Sequence, residues 1–227
     1  QLASRYARSV AFIGALVVFA ALIAIWVARW STDQNVYVSG LGAPSMPTAY
    51  TFNTALLALG VGGIMTSTIC RGLRSSMWLL RQWTVATSLV VTGASFILAS
   101  RVTCTDGCPV PFTDGATVQD FIHVTAAALG FTAATCAMLQ VATGPCHRAL
   151  RIGARFAASG TGIIAAAGAL MSLLRWYAHV GAMLEFVAMT VAVLWLVTFI
   201  AWMTLNRLGF NGGSESPGDG KGGLLVS

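Results

Sequence analysis

Six apolar stretches, each of about 19 to 26 residues, dominate the sequence and alternate with shorter polar segments. A helix rises about 1.5 Å per residue, so roughly 20 apolar residues match the thickness of a bilayer core. The sequence therefore predicts an all-α protein, a bundle of six transmembrane helices. The predicted spans are 10–29, 51–70, 78–100, 120–142, 156–174 and 180–205.

Composition supports a membrane protein and argues against a nucleic-acid partner. Of the 227 residues, 56% are hydrophobic and only 9% are charged, whereas soluble domains carry roughly 25% charged residues. The net charge of +6 is explained by Arg-rich loops on one face of a membrane. Phosphate-binding and zinc-protease motifs are not found in the sequence. The first apolar stretch, preceded by Arg5 and Arg8, is long enough to span and lacks the form of a cleavable signal.

Basic residues divide unequally between the two sides of a six-span topology. The side that holds both termini carries ten: Arg5, Arg8, Arg71, Arg74, Arg81, Arg148, Arg151, Arg155, Arg207 and Lys221. The other side carries three: Arg29, Arg101 and Arg175. Cytoplasmic loops collect Lys and Arg, so we expect a bacterial plasma-membrane protein with both termini in the cytoplasm. The Gly- and Ser-rich tail 211–227 is predicted to be disordered.

Polar groups concentrate on the outward side, in two loops. The first loop, 31–53, contains Pro44 and Pro47 and no regular periodicity, which predicts a loop folded back over the mouth of the bundle. A loop of this length is more often functional than a simple connection between helices. We expect Asn53 and Asp33 to contribute to ligand binding there. The alternative is that the loop carboxylates only keep the loop hydrated.

The second outward loop, 101–123, contains two cysteines four residues apart, Cys104 and Cys108. Disulfides form on the outward side, so this pair is predicted to be bonded. A metal site that combines the thiols with His123 is the alternative, but the spacing is unlike that of zinc modules. We therefore predict no metal. The remaining cysteines, Cys70, Cys136 and Cys146, are expected to be reduced packing residues.

Asp120 and His123 lie three residues apart at the start of the fourth span, so they share one helix face. Asp120 could cap the helix or orient the imidazole, and a helix N-terminus favours its charge. One interpretation is a helix-start acid beside an interfacial histidine. The other is an Asp–His pair that faces a pocket.

Arg175, His179 and Glu185 lie around the turn between the fifth and sixth spans. An ionisable group inside a span is costly unless it faces the bundle or water, so Glu185 is a functional candidate. Its expected partners are Arg175, His179 or His123; a structural ion pair or a protonated acid is the alternative. A haem held by His123 and His179 is a further alternative, but other cytochrome signals are missing, and no cofactor is predicted.

Two segments resemble the paired signatures of a known membrane family. They are VSGLGAPSMPTAYTFN in the first outward loop and CTDGCPVPFTDGATVQDFIHVTAA before the fourth span. The chain is similar, over about residues 10–205, to the six-span family of unknown function numbered nine-nine-eight, in its actinobacterial form. The resemblance implies a six-helix fold and a histidine at the start of span four, which matches His123. Gly40 stands where the family often has an acid.

Three functions are compatible with these features. The first is a non-catalytic one: a membrane-complex subunit, or a protein that binds a lipid or isoprenoid-like hydrophobic ligand at its outward mouth. The second is an intramembrane enzyme in which Asp120, His123 and Glu185 supply acid–base chemistry, and Arg175 and His179 help to bind the substrate. The third is a small transporter, although no proline interrupts a predicted span as in the broken helices of many transporters.

Overall fold

A computed structural model describes residues 2–32, 36–109, 111, 113, 115–173 and 178–209 of the chain. Asp33, Arg175 and the tail 211–227, all assigned roles or states above, lie outside the described residues. The backbone of His179 belongs to a described helix, but its side chain does not belong to the description.

The described chain folds into six α-helices, which confirms the all-α prediction. They are α1 (Leu2–Trp30), α2 (Ala49–Ser67), α3 (Val85–Arg101), α4 (Val118–Thr143), α5 (Arg148–Leu173) and α6 (Ala178–Gly209). Five of the described helices are long and apolar enough to cross a membrane, and α3 is a shorter apolar helix. The architecture is that of a helical membrane bundle.

Each helix packs against its neighbours in sequence, and α6 returns to pack on α1, so the helices close into a ring. One apolar core lies toward the end where α1 finishes and α2 begins, and it includes Ile25, Phe52 and Phe186. A second lies toward the other end and includes Val85, Ala137 and Phe199. We call the first end the mouth end and the second the basal end.

Glycines allow the closest helix contacts. A Cβ placed on Gly93 of α3 would lie 2.4 Å from the Gly60 carbonyl oxygen of α2, and one on Gly14 of α1 would lie 2.8 Å from that of Gly62. Small residues let helix backbones approach closely in lipid. Gly60 and Gly62 are therefore seam residues of the bundle. By contrast, Gly160 in α5 has no neighbour that an added Cβ would meet.

The third span starts later than predicted. Residues 78–84 do not belong to α3, which begins at Val85, and Leu79–Gln82 form a separate short 3-10 helix. Trp83 is extended, and the Thr84 side chain accepts from the Thr87 backbone N–H to cap α3. The prediction of 78–100 was wrong at this boundary because an apolar, Trp-rich segment can lie beside a helix as well as within it.

Candidate functional site

The loop between α1 and α2 covers the mouth end by inserting apolar side chains between the helices. Leu41 is completely buried and Val38 nearly so, and both belong to the core shared by α1, α2 and α6. A 3-10 helix, Ser39–Gly42, carries Leu41 inward. The Thr48 hydroxyl donates to the Leu41 carbonyl (2.9 Å), so the loop is fixed to the start of α2. The predicted folding of this loop over the mouth is confirmed.

Glu185 of α6 forms a hydrogen bond with the same loop. Its carboxylate accepts a hydrogen bond from the Val38 backbone N–H at 3.2 Å. The described partner is a loop backbone group. Of the side chains expected from the sequence, His123 bonds to other backbone carbonyls, and those of Arg175 and His179 are outside the description. In this position Glu185 satisfies a buried loop N–H, which would otherwise cost free energy.

The disulfide between Cys104 and Cys108 is present, as predicted. The turn that it closes passes through Gly107, at φ +81°, and Cys108, at φ +44°. The Ser39 hydroxyl lies 3.2 Å from the Cys108 sulfur, which brings the second loop against the first. The bonded pair is therefore part of the contact between the two loops.

Asp106, inside the disulfide turn, joins the two loops directly. Its carboxylate accepts from the Ser45 backbone N–H at 3.1 Å. Hydrogen bonding from Ser45 lowers the pKa of Asp106 below its ordinary value. The charged form of this exposed side chain is thus the one that the loop contact favours.

Asp120 is the N3 residue of the capping box of α4, whose N-cap is Thr117, and it also anchors the second loop. Its carboxylate accepts from the Thr117 backbone N–H, and the Thr117 hydroxyl oxygen accepts from the Asp120 backbone N–H, which together form a capping box. The Thr117 hydroxyl also donates to the carboxylate. The carboxylate also accepts from the backbone N–H (2.7 Å) and hydroxyl of Thr105. The side chain is completely buried. Of the two interpretations of Asp120, the structure supports the cap.

His123 closes the C-terminal end of α3. Its Nδ1 lies 2.9 Å from the Ala99 carbonyl oxygen and 2.7 Å from that of Val102. Carbonyls only accept, so Nδ1 carries the proton. His123 and Asp120 therefore each hold their own segment of backbone, and their hydrogen bonds give no support to an Asp–His pair. Within the described residues, no three His, Cys, Asp or Glu side chains approach closely enough to hold a metal ion.

An open cavity of about 300 Å³ lies at the mouth end, between the first loop, the start of α2 and the end of α3. We call it the mouth cavity. It is lined by Gly42, Pro44, Ala49, Tyr50, Asn53, Thr54, Leu57, Ser100, Arg101 and Thr103. Asn53, predicted from the sequence as a ligand-binding residue, is therefore on its wall.

Arg101 is the charged residue of the mouth cavity, and the sequence reasoning assigned it no site. Its side chain is exposed, and no carboxylate or acceptor in the described part of the chain pairs with it. In the sequence, Arg101 could be recognised only as an isolated cation at the predicted outward end of a span. The helix topology was needed to place it beside Asn53 and the start of α2.

Two further features make the mouth cavity polar at one side. Asn53 donates from Nδ2 to the Gly42 carbonyl at 3.0 Å, and its Oδ1 is buried without a hydrogen-bond partner. The N-terminus of α2 begins after Thr48, whose side chain makes no capping bond. The free N–H end of a helix carries partial positive charge. The cavity therefore combines one full positive charge, a helix end and an amide.

The interior of the ring offers much less room. A cavity of about 40 Å³ lies among α1, α2, α3, α4 and α6, and its walls are almost entirely apolar, with Phe96, Phe131 and Trp195 among them. This volume is close to that of a single water molecule in the liquid, about 30 Å³. Of these two cavities, the mouth cavity is the one with room for a ligand of more than a few atoms.

Comparison with known proteins gives one match. No curated protein and no solved structure matches the sequence significantly. The sequence profile of a family described as "Protein of unknown function (DUF998)" matches residues 12–202, which include all six helices in whole or in part. The chain therefore belongs to the DUF998 family.

Proposed function

We propose that this protein is a multi-pass protein of a bacterial plasma membrane that binds an anionic amphiphile at its outward mouth. The ligand class is a lipid or isoprenoid-like molecule with a phosphate or carboxylate headgroup. The observation that carries the proposal is the position of Arg101, exposed and without a described partner on the wall of a cavity of about 300 Å³. Asn53 is the second residue assigned to the site.

The chemistry of Arg101 favours an anionic headgroup. A guanidinium presents several donors in a planar fork and binds phosphate or carboxylate oxygens through paired hydrogen bonds. The uncapped N-terminus of α2, on the same cavity, adds partial positive charge. The guanidinium and the helix N-terminus both attract a negatively charged headgroup and repel a positively charged one.

The size and lining of the mouth cavity favour binding of the headgroup alone. Its volume corresponds to roughly ten water molecules at about 30 Å³ each, which accommodates a headgroup but not acyl or prenyl chains. Tyr50, Leu57 and Ala49 supply apolar walls. The chains would then remain in the bilayer beside α2 and α3, and the headgroup alone would enter the protein.

The orientation in the membrane is part of the proposal. The disulfide Cys104–Cys108 lies at the mouth end, and disulfides persist on the oxidising, outward side. The basic residues of the basal turns, such as Arg71 and Arg148, suit the cytoplasmic side. Both termini would therefore be cytoplasmic, with six spans in the membrane, α3 being the short one.

Native mass spectrometry of the detergent-purified protein tests the proposal with phosphatidylglycerol, a polyprenyl phosphate and phosphatidylcholine as probes. We expect the two anionic probes to be retained and phosphatidylcholine to be lost. Arg101→Gln should weaken retention of the anionic probes by about tenfold or more, since a hydrogen bond to a charged group contributes roughly 1.5–3 kcal/mol.

Arg5→Gln is the matched control, because Arg5 is an exposed arginine at the basal end. It removes the same charge and should leave retention at the mouth cavity unchanged. Equal retention by the Arg101→Gln and Arg5→Gln variants would refute the assignment. A copurifying membrane protein in place of a lipid would favour the role of a complex subunit. Acid–base catalysis by Asp120, His123 and Glu185, and transport, remain predictions from the sequence.

A further inference from the structure

We propose that the basal end carries a second and separate contact with lipid, an interfacial surface that binds the headgroups of anionic phospholipids. We call it the basic face, and it comprises Arg71, Arg74, Arg81, Arg148, Arg151 and Arg155. All six side chains are exposed. The proposal concerns the end opposite the mouth cavity and does not depend on the proposed function.

The turn between α2 and α3 holds part of the basic face in a fixed conformation. Arg74 forms an isolated antiparallel bridge with Thr84, and the Val85 N–H donates to the Leu73 carbonyl at 3.0 Å. The Arg74 guanidinium donates to the Arg81 carbonyl at 3.2 Å. The arginines of this turn are therefore presented from an ordered segment.

A buried glutamine of α4 fixes the same turn to the bundle. Gln140 is completely buried, and its Nε2 donates to the carbonyls of Trp83 (3.0 Å) and Leu80 (3.3 Å). Its Oε1 accepts from the Ser88 hydroxyl of α3 at 2.9 Å. Every polar atom of this buried amide thus contributes to holding residues 80–83 against α3 and α4.

The fixed turn exposes large apolar side chains between its arginines. Trp78 is 76% exposed and Leu79 is 66% exposed, and Met77 and Trp83 are about half exposed. Trp rings prefer the headgroup level of a membrane, where one side is apolar and the other is hydrated. This combination of Trp and Arg fits a membrane surface better than a purely aqueous partner.

The start of α5 extends the surface with the same combination. Arg148, Arg151 and Arg155 follow each other at helical spacing, and Phe156 beside them is 76% exposed. Ala154 and Ala158, on the adjoining strip of the same helix, are buried. Arginines with exposed aromatic neighbours at a helix start are typical of a segment in the membrane interface.

Hydrogen bonds join the two basal turns into one surface. The Ser76 N–H donates to the Thr143 carbonyl at 3.2 Å, and the hydroxyls of Ser75 and Thr143 lie 2.7 Å apart. Thr143 is the last residue of α4, and α5 begins five residues later at Arg148. The arginines of the α2–α3 turn and of α5 therefore lie on neighbouring segments.

No carboxylate in the described part of the chain neutralises the basic face. The three described acidic residues are Asp106, Asp120 and Glu185, and all are engaged at the mouth end. An anionic surface contributes roughly 1 kcal/mol of attraction for each Arg close to it. The matching partner is a phosphate-bearing lipid in the adjacent leaflet.

Quenching of tryptophan fluorescence by brominated lipids tests the proposal at this surface. The protein is reconstituted in nanodiscs that contain brominated phosphatidylglycerol or brominated phosphatidylcholine. The signal of Trp78 and Trp83 is taken as the difference between the wild type and the Trp78→Phe/Trp83→Phe variant. We expect stronger quenching by the phosphatidylglycerol, with a preference that decreases as the salt concentration rises.

Two charge variants separate the basic face from the mouth cavity. In the Arg74→Gln/Arg81→Gln variant, the preference for phosphatidylglycerol over phosphatidylcholine should fall by about fivefold for each arginine removed. The Arg74→Lys/Arg81→Lys variant should retain most of this preference. Arg101→Gln should leave it unchanged. Equal quenching by the two lipids in the wild type, or a full preference in the Gln variant, would overturn the proposal. Helix content measured by circular dichroism controls for folding.

Discussion

The contact between α2 and α3 gives the sharpest stability prediction, because two backbones meet there without side chains between them. In Gly93→Ala the new Cβ would lie 2.4 Å from the Gly60 carbonyl oxygen and 2.7 Å from Ile64 Cγ1. Ordinary contact begins at about 3.4 Å. The two helices must therefore separate by about 1 Å, which weakens the dispersion contacts along their seam.

The cost follows from measured overpacking. Inserting a methyl group into a packed core destabilises by roughly 1–3 kcal/mol, and here the obstacle is backbone that cannot rotate away. Replacing Gly by Ala within a helix returns up to about 1 kcal/mol of intrinsic helix propensity. We expect Gly93→Ala to lower the free energy of unfolding by about 2 kcal/mol.

Unfolding in mixed detergent micelles, followed by circular dichroism, measures this change, and Gly160→Ala is the matched control. A Cβ on Gly160 meets nothing within 4 Å, so this variant should be as stable as the wild type or slightly more stable. If Gly93→Ala unfolds with the wild-type midpoint, or if Gly160→Ala is equally destabilised, the assignment of the α2–α3 seam to the glycine contact is wrong.

Two further predictions concern the loops of the mouth. Asp120→Asn, measured in the same unfolding assay, should cost about 1–2 kcal/mol, since one amide cannot replace a carboxylate that accepts from both Thr117 and Thr105. Acidification should release the second loop from the first: the folded pKa of Asp106 lies below its ordinary value, so the contact with Ser45 is complete above that value and is lost as the pH falls through the folded pKa. Hydrogen exchange of the Ser45 amide should become faster over that interval, and Asp106→Asn should remove the pH dependence. An exchange rate that does not change with acid, beyond the intrinsic pH effect on exchange, would contradict this.

Local sequence patterns determined much of this protein. The apolar stretches set the all-helical class because in lipid the backbone must satisfy its hydrogen bonds within each segment. The bond between Cys104 and Cys108 was predicted from their closeness in sequence and their place on the predicted outward side, where disulfides form. The capping role of Asp120 was one of two alternatives that the sequence offered, because Asp120 lies at the start of the fourth span, where a helix N-terminus favours its charge.

Tertiary structure decided which polar groups meet. Glu185 and Val38 are 147 residues apart, and Asp106 and Ser45 are 61 apart, so no local pattern pairs them. The same holds for Gln140 of α4, which fixes the turn before α3 and thereby moves the start of the third span to Val85. Hydropathy cannot distinguish an apolar residue inside a helix from one that lies beside it.

The mouth cavity shows the same division. Sequence singled out Asn53 as a polar residue at the start of a span, but Arg101 entered only as one charge among those that set the orientation. The two residues lie on one wall because α2 begins and α3 ends at the same end of the ring, brought together by the contact of Gly60 with Gly93. Periodicity and composition describe one segment at a time, whereas a binding site depends on distances between segments that only the packed bundle defines.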